Sequence, residues 1–242
     1  KQQNIMNPLT SVKGTIISGF VLAILVAFYV SPESSVFQMR NFSIWLHALF
    51  GVTWIGLLYY FNFVQTEYFK DSEPSAKSDV VQKLVPNALW YFRWAAAFTF
   101  LTGLYLLYYL SMTVNISIVL GAIMGTIMAA NVWFIIWPNQ KKVIAGAPDA
   151  ADAGAKAGLA SRTNTLLSIP MLYLMINSAH GFGLPMIAET SMMGLWVGLV
   201  LILAIEMNAI FGSMNKIIAS VKAVIHSGIV LTVIFGALVH YL

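Results

Sequence analysis

The sequence predicts an all-α integral membrane protein: a polytopic helix bundle with about seven transmembrane helices, in a single domain covering 1–242. Of its 242 residues, 59% are apolar and only 9% are charged, whereas soluble domains carry about 25% charged residues. Uncharged segments of about 20 residues, each long enough to cross a bilayer, recur along the chain. The low charge also argues against intrinsic disorder and against nucleic-acid binding.

Seven apolar segments are expected to cross the membrane, because each has the length that a spanning helix needs. In chain order they are 14–30, 41–64, 86–110, 114–138, 163–181, 191–211 and 218–241. The first segment follows two lysines, but no A-x-A cleavage motif comes after it, so we expect a span and not a signal peptide. Because the chain begins with Lys1 and not Met, we expect a few residues or a processed segment to precede it.

The positions of the cations predict the orientation. Eleven of the thirteen Lys and Arg residues lie in alternate connections: Lys1, Lys13, Lys70, Lys77, Lys83, Lys141, Lys142, Lys156, Arg162, Lys216 and Lys222. The positive-inside rule then places the N-terminus in the cytoplasm and, with seven crossings, the C-terminus on the outer face of the membrane. Of the two long cytoplasmic connections, 65–85 and 139–161, the second is rich in Ala, Gly and Asp and is expected to be flexible.

The absence of cysteine narrows the chemistry. With no cysteine in the chain, disulfides, thiolate metal sites, iron–sulfur clusters and covalently attached c-type haem are excluded. Any metal or haem must be held by His, Met or oxygen ligands. The sequence also has no nucleophile–base pattern, phosphate loop, zinc motif or di-iron motif, which argues against hydrolases and ATP-driven machines.

Ionisable residues inside the spans are candidate functional residues, because each is costly to place in a bilayer. They form two predicted layers. The outer layer contains His47, His180 and His240, and the inner layer contains Arg93, Glu206 and His226, with Asn131 and Asn208 at similar depth.

The outer layer is typical of a haem or metal site, because imidazole is the main ligand left to a chain without thiols. His47, Gly51 and Trp54 share one helix face, and the glycine leaves room for a flat macrocycle. His226 and His240 also share a face, about 21 Å apart along the axis. We therefore expect haem b, with His47, His180 and His240 as candidate iron ligands. The alternative is that the terminal histidines simply lie at the membrane interface.

The inner layer predicts a second site. Arg93, Glu206 and Asn131 are its candidate catalytic residues. Arg93 and Glu206 are expected to pair across the bundle, because each alone would be an unpaired charge in a low dielectric. A haem propionate or an anionic substrate is an equally good partner for the Arg93 guanidinium. A purely structural ion pair is the alternative.

Four strings carry a resemblance to a known family. They are WLHALFGVTWIGLLYYFNFVQ at 45–65, ALWYFRW at 88–94, NVWFIIWPNQK at 131–141 and ASRTNTLLSIPM at 160–171. In this order they resemble the N-terminal membrane domain of the bacterial cytochrome-c-linked urate oxidase (urate hydroxylase) family. The resemblance implies a polytopic redox domain of the bacterial inner membrane, so that the outer face is the periplasm. It also implies that the domain oxidises urate and passes electrons to a c-type cytochrome domain. It also implies these site candidates: His47, Trp54, Asn62, Gln65, Arg93, Asn131, Asn139, Gln140, Arg162, Asn164 and His180.

Three functions are therefore open. The leading one is a haem b membrane redox protein, with His47 and either His180 or His240 as axial ligands and Arg93 holding a urate anion. Because the C-terminal cytochrome c domain and its Cys-x-x-Cys-His motif are lacking here, a separate cytochrome subunit is expected. The second is a non-catalytic membrane subunit that anchors a larger respiratory complex. The third is a transporter of a small organic anion, with Arg93 and Glu206 as its site.

Overall fold

The computed structural model describes residues 7–30, 39–110, 114–181, 184–187 and 191–242. Within these ranges the chain is helical and has no β-strand, which confirms the all-α class. The chain divides into two compact units, Lys1–Trp45 and Leu46–Leu242.

The first unit is built around one apolar helix. A short 3₁₀ turn, Pro8–Thr10, precedes helix α1, Val12–Val30. The side chain of Asn7 caps the turn by accepting from the backbone N–H of Leu9 at 2.9 Å. The unit also includes the start of helix α2, Met39–Tyr59, where Trp45 makes an edge contact with Phe20 at 5.3 Å between ring centroids. Lys1, used above to predict the orientation, lies outside the described residues.

The second unit contains the remaining helices and two π-helical turns. Helix α2 continues through the first π turn, Tyr60–Gln65, into α3, Thr66–Asp71. Helix α6 continues in the same way through the second π turn. In chain order the other elements are α4 Pro74–Lys83, α5 Val85–Tyr109, α6 Ile116–Ala130, the second π turn Asn131–Ile136, α7 Trp137–Ile144, α8 Ala150–His180, α9 Met193–Phe211 and α10 Val221–Tyr241.

Among the described residues, four helical segments are long and apolar enough to cross a membrane. They are Met39–Asp71, Ile116–Ile144, Met193–Phe211 and Val221–Tyr241, with a mean hydropathy between 1.5 and 2.0. The first two reach this length because each π turn joins two helices without interrupting the rod. This composition supports a membrane protein with several crossings.

The expectation of a flexible connection over 139–161 is wrong. Helix α7 continues to Ile144, and α8 begins at Ala150. Alanine is the strongest helix former, and Ala153 and Ala157 are buried, with 2% and 0% of their surface exposed. The short link between the helices is closed by Lys142, whose ammonium donates to Asp149 at 2.6 Å. This exposed hydrogen bond lowers the pKa of the Asp149 carboxyl.

Helix α8 is the centre of the second unit. It packs against α6, α7, α9 and α10 and against both π turns. Close packing with α6 occurs at Gly121, where an added Cβ would lie 3.3 Å from Met175. Close packing with α10 occurs at Gly228, where an added Cβ would lie 2.4 Å from the Ile169 side chain. Polar residues on α8 are therefore positioned by helices on several sides.

Candidate functional site

A buried polar network joins three helical segments. The Asn131 carboxamide nitrogen donates to Asn164 Oδ1 at 2.9 Å and to Glu206 Oε2 at 3.0 Å. The Asn164 carboxamide donates in turn to the carbonyl of Met128 at 2.9 Å. Between 0% and 9% of the surface of the three side chains is exposed. Asn131 thus uses both of its N–H groups to hold an amide and a carboxyl in the interior.

The second π turn presents Asn131 to this network. Pro138 has no backbone N–H, so it cannot continue the regular hydrogen-bond ladder at this point. The Asn139 side chain, next to this proline, donates to the carbonyl of Ile135 at 2.7 Å. π turns occur frequently at functional sites, and this one starts at Asn131 itself.

Arg93 does not pair with Glu206, contrary to the sequence expectation. Its guanidinium instead lies over the ring of Trp137, 3.8 Å from the centroid, while Glu206 is bonded to Asn131. The Trp133 indole N–H donates to the Arg93 carbonyl at 3.1 Å, which ties α5 to the second π turn. The sequence predicts that Arg93 and Glu206 lie at a similar depth in the membrane. It does not predict how their two helices are rotated, which decides whether the side chains meet.

Two cations lie close to the Trp137 ring. The Lys141 ammonium approaches it to 5.6 Å on the same helix, in addition to Arg93. Neither Arg93 nor Lys141 forms an ion pair within the described ranges. Two cations beside an indole, without a carboxylate partner, suit a planar anion whose oxygens accept from the edge of the stacked guanidinium.

A second inner cluster joins the first π turn to α8. The Asn62 carboxamide donates to the Leu58 carbonyl at 2.9 Å and to Ser161 Oγ at 2.8 Å. The next residue, Arg162, is only 5% exposed, and its Nη1 has no hydrogen-bond partner. Gln65 Oε1, at the end of the π turn, is also buried without a partner. The predicted depth of residues within the spans does not identify this cluster, because Arg162 precedes the predicted span 163–181. The strings that carry the family resemblance include Asn62, Gln65 and Arg162.

His47 of the outer layer is held by α5. Its Nδ1 lies 3.1 Å from Thr102 Oγ1, and its ring packs on Gly103, where an added Cβ would lie 3.1 Å away. Because the Thr102 hydroxyl has the Phe98 carbonyl as an acceptor at 2.7 Å, the His47 tautomer with its proton on Nδ1 allows both hydrogen bonds at once. The lone pair of His47 then lies on Nε2, which is the arrangement typical of metal-ligating histidines.

The other predicted outer-layer residues have different surroundings. His180 ends α8 and is exposed; His240 is exposed, with Nε2 3.5 Å from Asn177 Nδ2. His226, predicted for the inner layer, is also exposed, and its Nδ1 lies 2.7 Å from the Lys222 carbonyl. No His, Asp and Glu side chains form a group of three suited to a metal in the part of the chain that is described.

The residues around His47 fit a haem in part. An added Cβ on Gly51 would lie 3.9 Å from the Thr99 methyl group, so α5 occupies the space beside this glycine. Trp54 is 2% exposed, and its indole N–H is buried without a partner. His47 therefore fits one axial ligand. His180 and His240 are exposed at the ends of α8 and α10.

One cleft in the second unit lies away from all of these residues. It has a volume of about 380 Å³ and is bounded by α8, α9 and α10, with Asn208 and Ser227 among mainly aliphatic side chains. Neither Arg93, His47 nor the Asn131 network lines it. Its apolar walls suit lipid better than a polar substrate.

Comparison with known proteins gives one family. The family described as "Urate oxidase N-terminal" matches residues 115–239, which is just over half of the chain. The match contains the strings 131–141 and 160–171, whereas 45–65 and 88–94 lie before it. The chain matches none of the curated proteins and none of the solved structures with which it was compared. This chain belongs to the urate oxidase N-terminal family.

Proposed function

We propose that this chain is the membrane-embedded redox part of a urate-oxidising system in the bacterial inner membrane. It crosses the membrane seven times, with its N-terminus in the cytoplasm and its C-terminus in the periplasm. Urate binds near the cytoplasmic ends of the helices, and electrons leave toward a separate c-type cytochrome on the periplasmic side. Family membership and the cation distribution support this arrangement.

The arrangement of Arg93, Trp137 and Lys141 is the observation that carries the proposal. A urate anion is flat and negatively charged. Its oxygens can accept from the free edge of the guanidinium, which is stacked on the indole, and Lys141 adds a second positive charge. Because Glu206 is bonded elsewhere, Arg93 remains available for the substrate.

Haem b is the cofactor that we propose for electron transfer. When bound, it would supply a one-electron carrier between the substrate and the cytochrome. His47 would be one ligand through Nε2, with His180 or His240 as the second. Thr102, which orients His47, follows Arg93 by nine residues on α5, or about 14 Å along the helix axis. Helix α5 thus contains Arg93, which would bind the substrate, and Thr102, which contacts His47 of α2 at a different depth.

The test uses right-side-out membrane vesicles that contain urate, with ferric cytochrome c outside. We expect urate-dependent cytochrome reduction, which Arg93→Ala lowers at least tenfold and Arg93→Lys lowers less, because a charge remains. Lys83→Ala is the matched control, since Lys83 pairs with Asp79 on the surface. The same measurement in detergent-permeabilised vesicles separates wrong sidedness from lack of activity.

Two results would count against the proposal. Cytochrome reduction that is unaffected by Arg93→Ala would remove this substrate site. No urate-dependent reduction under either condition would remove the urate activity and favour a non-catalytic anchoring subunit.

A further inference from the structure

The cluster of Asn62, Gln65, Ser161 and Arg162 is not used by the site proposed above. Arg162 is a buried cation, and the carboxylate that acts on it electrostatically is Glu67. Glu67 is itself engaged with Lys70 at 2.7 Å. A buried guanidinium that lacks a full set of acceptors is costly. This cost indicates that the cluster has a role beyond packing.

The two unsatisfied atoms have opposite requirements. Arg162 Nη1 can only donate, and Gln65 Oε1 can only accept. They belong to the two segments that the bond from Asn62 to Ser161 joins at 2.8 Å. A fully deprotonated inorganic anion such as sulfate presents acceptors alone, so it would satisfy the arginine and leave the glutamine unsatisfied. A ligand with adjacent C=O and N–H groups would satisfy both.

One ring contact between two pairs of sequence neighbours connects Arg93 to this cluster. Phe92, next to Arg93, makes an edge contact with Phe61 at 5.4 Å between ring centroids. Phe61 precedes Asn62, which binds Ser161 beside Arg162. Arg93 is partly exposed, whereas Arg162 is 5% exposed. The first cation is therefore accessible and the second is enclosed.

We propose that Arg162 and Gln65 recognise the lactam edge, –NH–C(=O)–, of an oxidised purine that Arg93 first captures. Arg162 donates to the ring carbonyl oxygen, and Gln65 accepts from the adjacent ring N–H. The pair determines specificity, and no bond is made or broken in this step. The inference rests on the proposed function, because it takes urate as the ligand.

The test measures equilibrium binding of radiolabelled urate to the purified full chain. Competition with urates methylated at a single ring nitrogen shows which ring N–H the protein recognises. We expect at least one methyl isomer to compete tenfold or more weakly than urate, because a polar group without its partner rejects an analogue strongly. Gln65→Leu removes this discrimination, and Arg162→Lys weakens urate binding at least tenfold, because it loses the planar fork.

Matched controls and opposing outcomes keep the test decisive. Gln82→Leu removes an exposed carboxamide that donates to the Ile144 carbonyl, and Arg40→Lys changes an exposed arginine; both should bind urate as the unchanged protein does. If the unchanged protein binds urate but treats all methyl isomers alike, and Gln65→Leu binds normally, this inference alone is wrong. If the unchanged protein binds no urate, the proposed function fails as well. Thermal unfolding of each variant shows whether lost binding reflects lost folding. The competition by methylated urates uses only the unchanged protein, so it does not depend on whether a variant folds.

Discussion

Glu206 shows how a carboxyl group is accommodated in the bundle. One of its oxygens accepts from Asn131, and Asn131 is fixed by Asn164, which is bonded to the backbone of α6. Each member of this network depends on the next, because an unsatisfied polar group in an apolar interior is expensive. The network thus positions the second π turn beside α8 and α9.

Asn131→Ala is therefore expected to destabilise the protein by about 1–3 kcal/mol, the usual cost of leaving buried polar partners unsatisfied. The measurement is denaturant unfolding in detergent. Asn139→Ala is the control, because the Asn139 side chain donates only within its own helical segment.

A double-mutant cycle identifies the cause. The cost of Asn131→Ala should shrink when Glu206 is replaced by Leu, since the carboxyl no longer needs a donor. Equal costs in the two backgrounds would show that Asn131 acts through packing alone.

The sequence predicted which residues lie in the interior, but it did not predict which of them meet. Uncharged runs placed Arg93, Asn131 and Glu206 inside the helices, because a charge stands out in an apolar segment. The hydrogen bond from Asn131 to Glu206, and the position of Arg93 over Trp137, depend on how each helix is rotated in the bundle. Periodicity within one helix contains no information about that rotation.

At the scale of the elements, α8 explains most of the fold. Its apolar C-terminal half could be predicted as a span, whereas its N-terminal half was expected to be a flexible loop. Ala, Gly and Asp are compatible with both states, and the burial of Ala153 and Ala157 decides for helix. The two π turns, Tyr60–Gln65 and Asn131–Ile136, were also missed, because a π turn has no simple sequence period.

The crossing of α8 and α10 should not tolerate a larger residue at Gly228. An added Cβ would lie 2.4 Å from the Ile169 side chain, so Gly228→Leu forces the helices apart. We expect a loss of about 1–3 kcal/mol, as for other overpacked interiors, measured as a lower midpoint of thermal unfolding. Gly56→Ala is the control, because nothing lies within 4 Å of an added Cβ there. Equal midpoints for both variants would show that the crossing is loose.

At the scale of the whole molecule, the described chain combines apolar helices with a polar interior that lies mainly on one helix, α8. Asn164, Ser161 and Arg162 on this helix contact or adjoin both π turns. In the proposed orientation, Arg93 and Arg162 lie toward the cytoplasm and His47 lies toward the periplasm. This separation suits a protein that receives a substrate on one side and delivers electrons on the other.

The most direct measurement of this account is the absorbance spectrum of the purified, oxidised protein after anaerobic addition of urate. We predict that the bands of reduced haem b appear. Dithionite added afterwards reduces any remaining haem and gives the absorbance of full reduction. His47→Ala should abolish these bands, whereas His226→Ala, which changes an exposed histidine, should keep them. A protein without haem bands after dithionite, or with haem that urate leaves oxidised, would contradict the account.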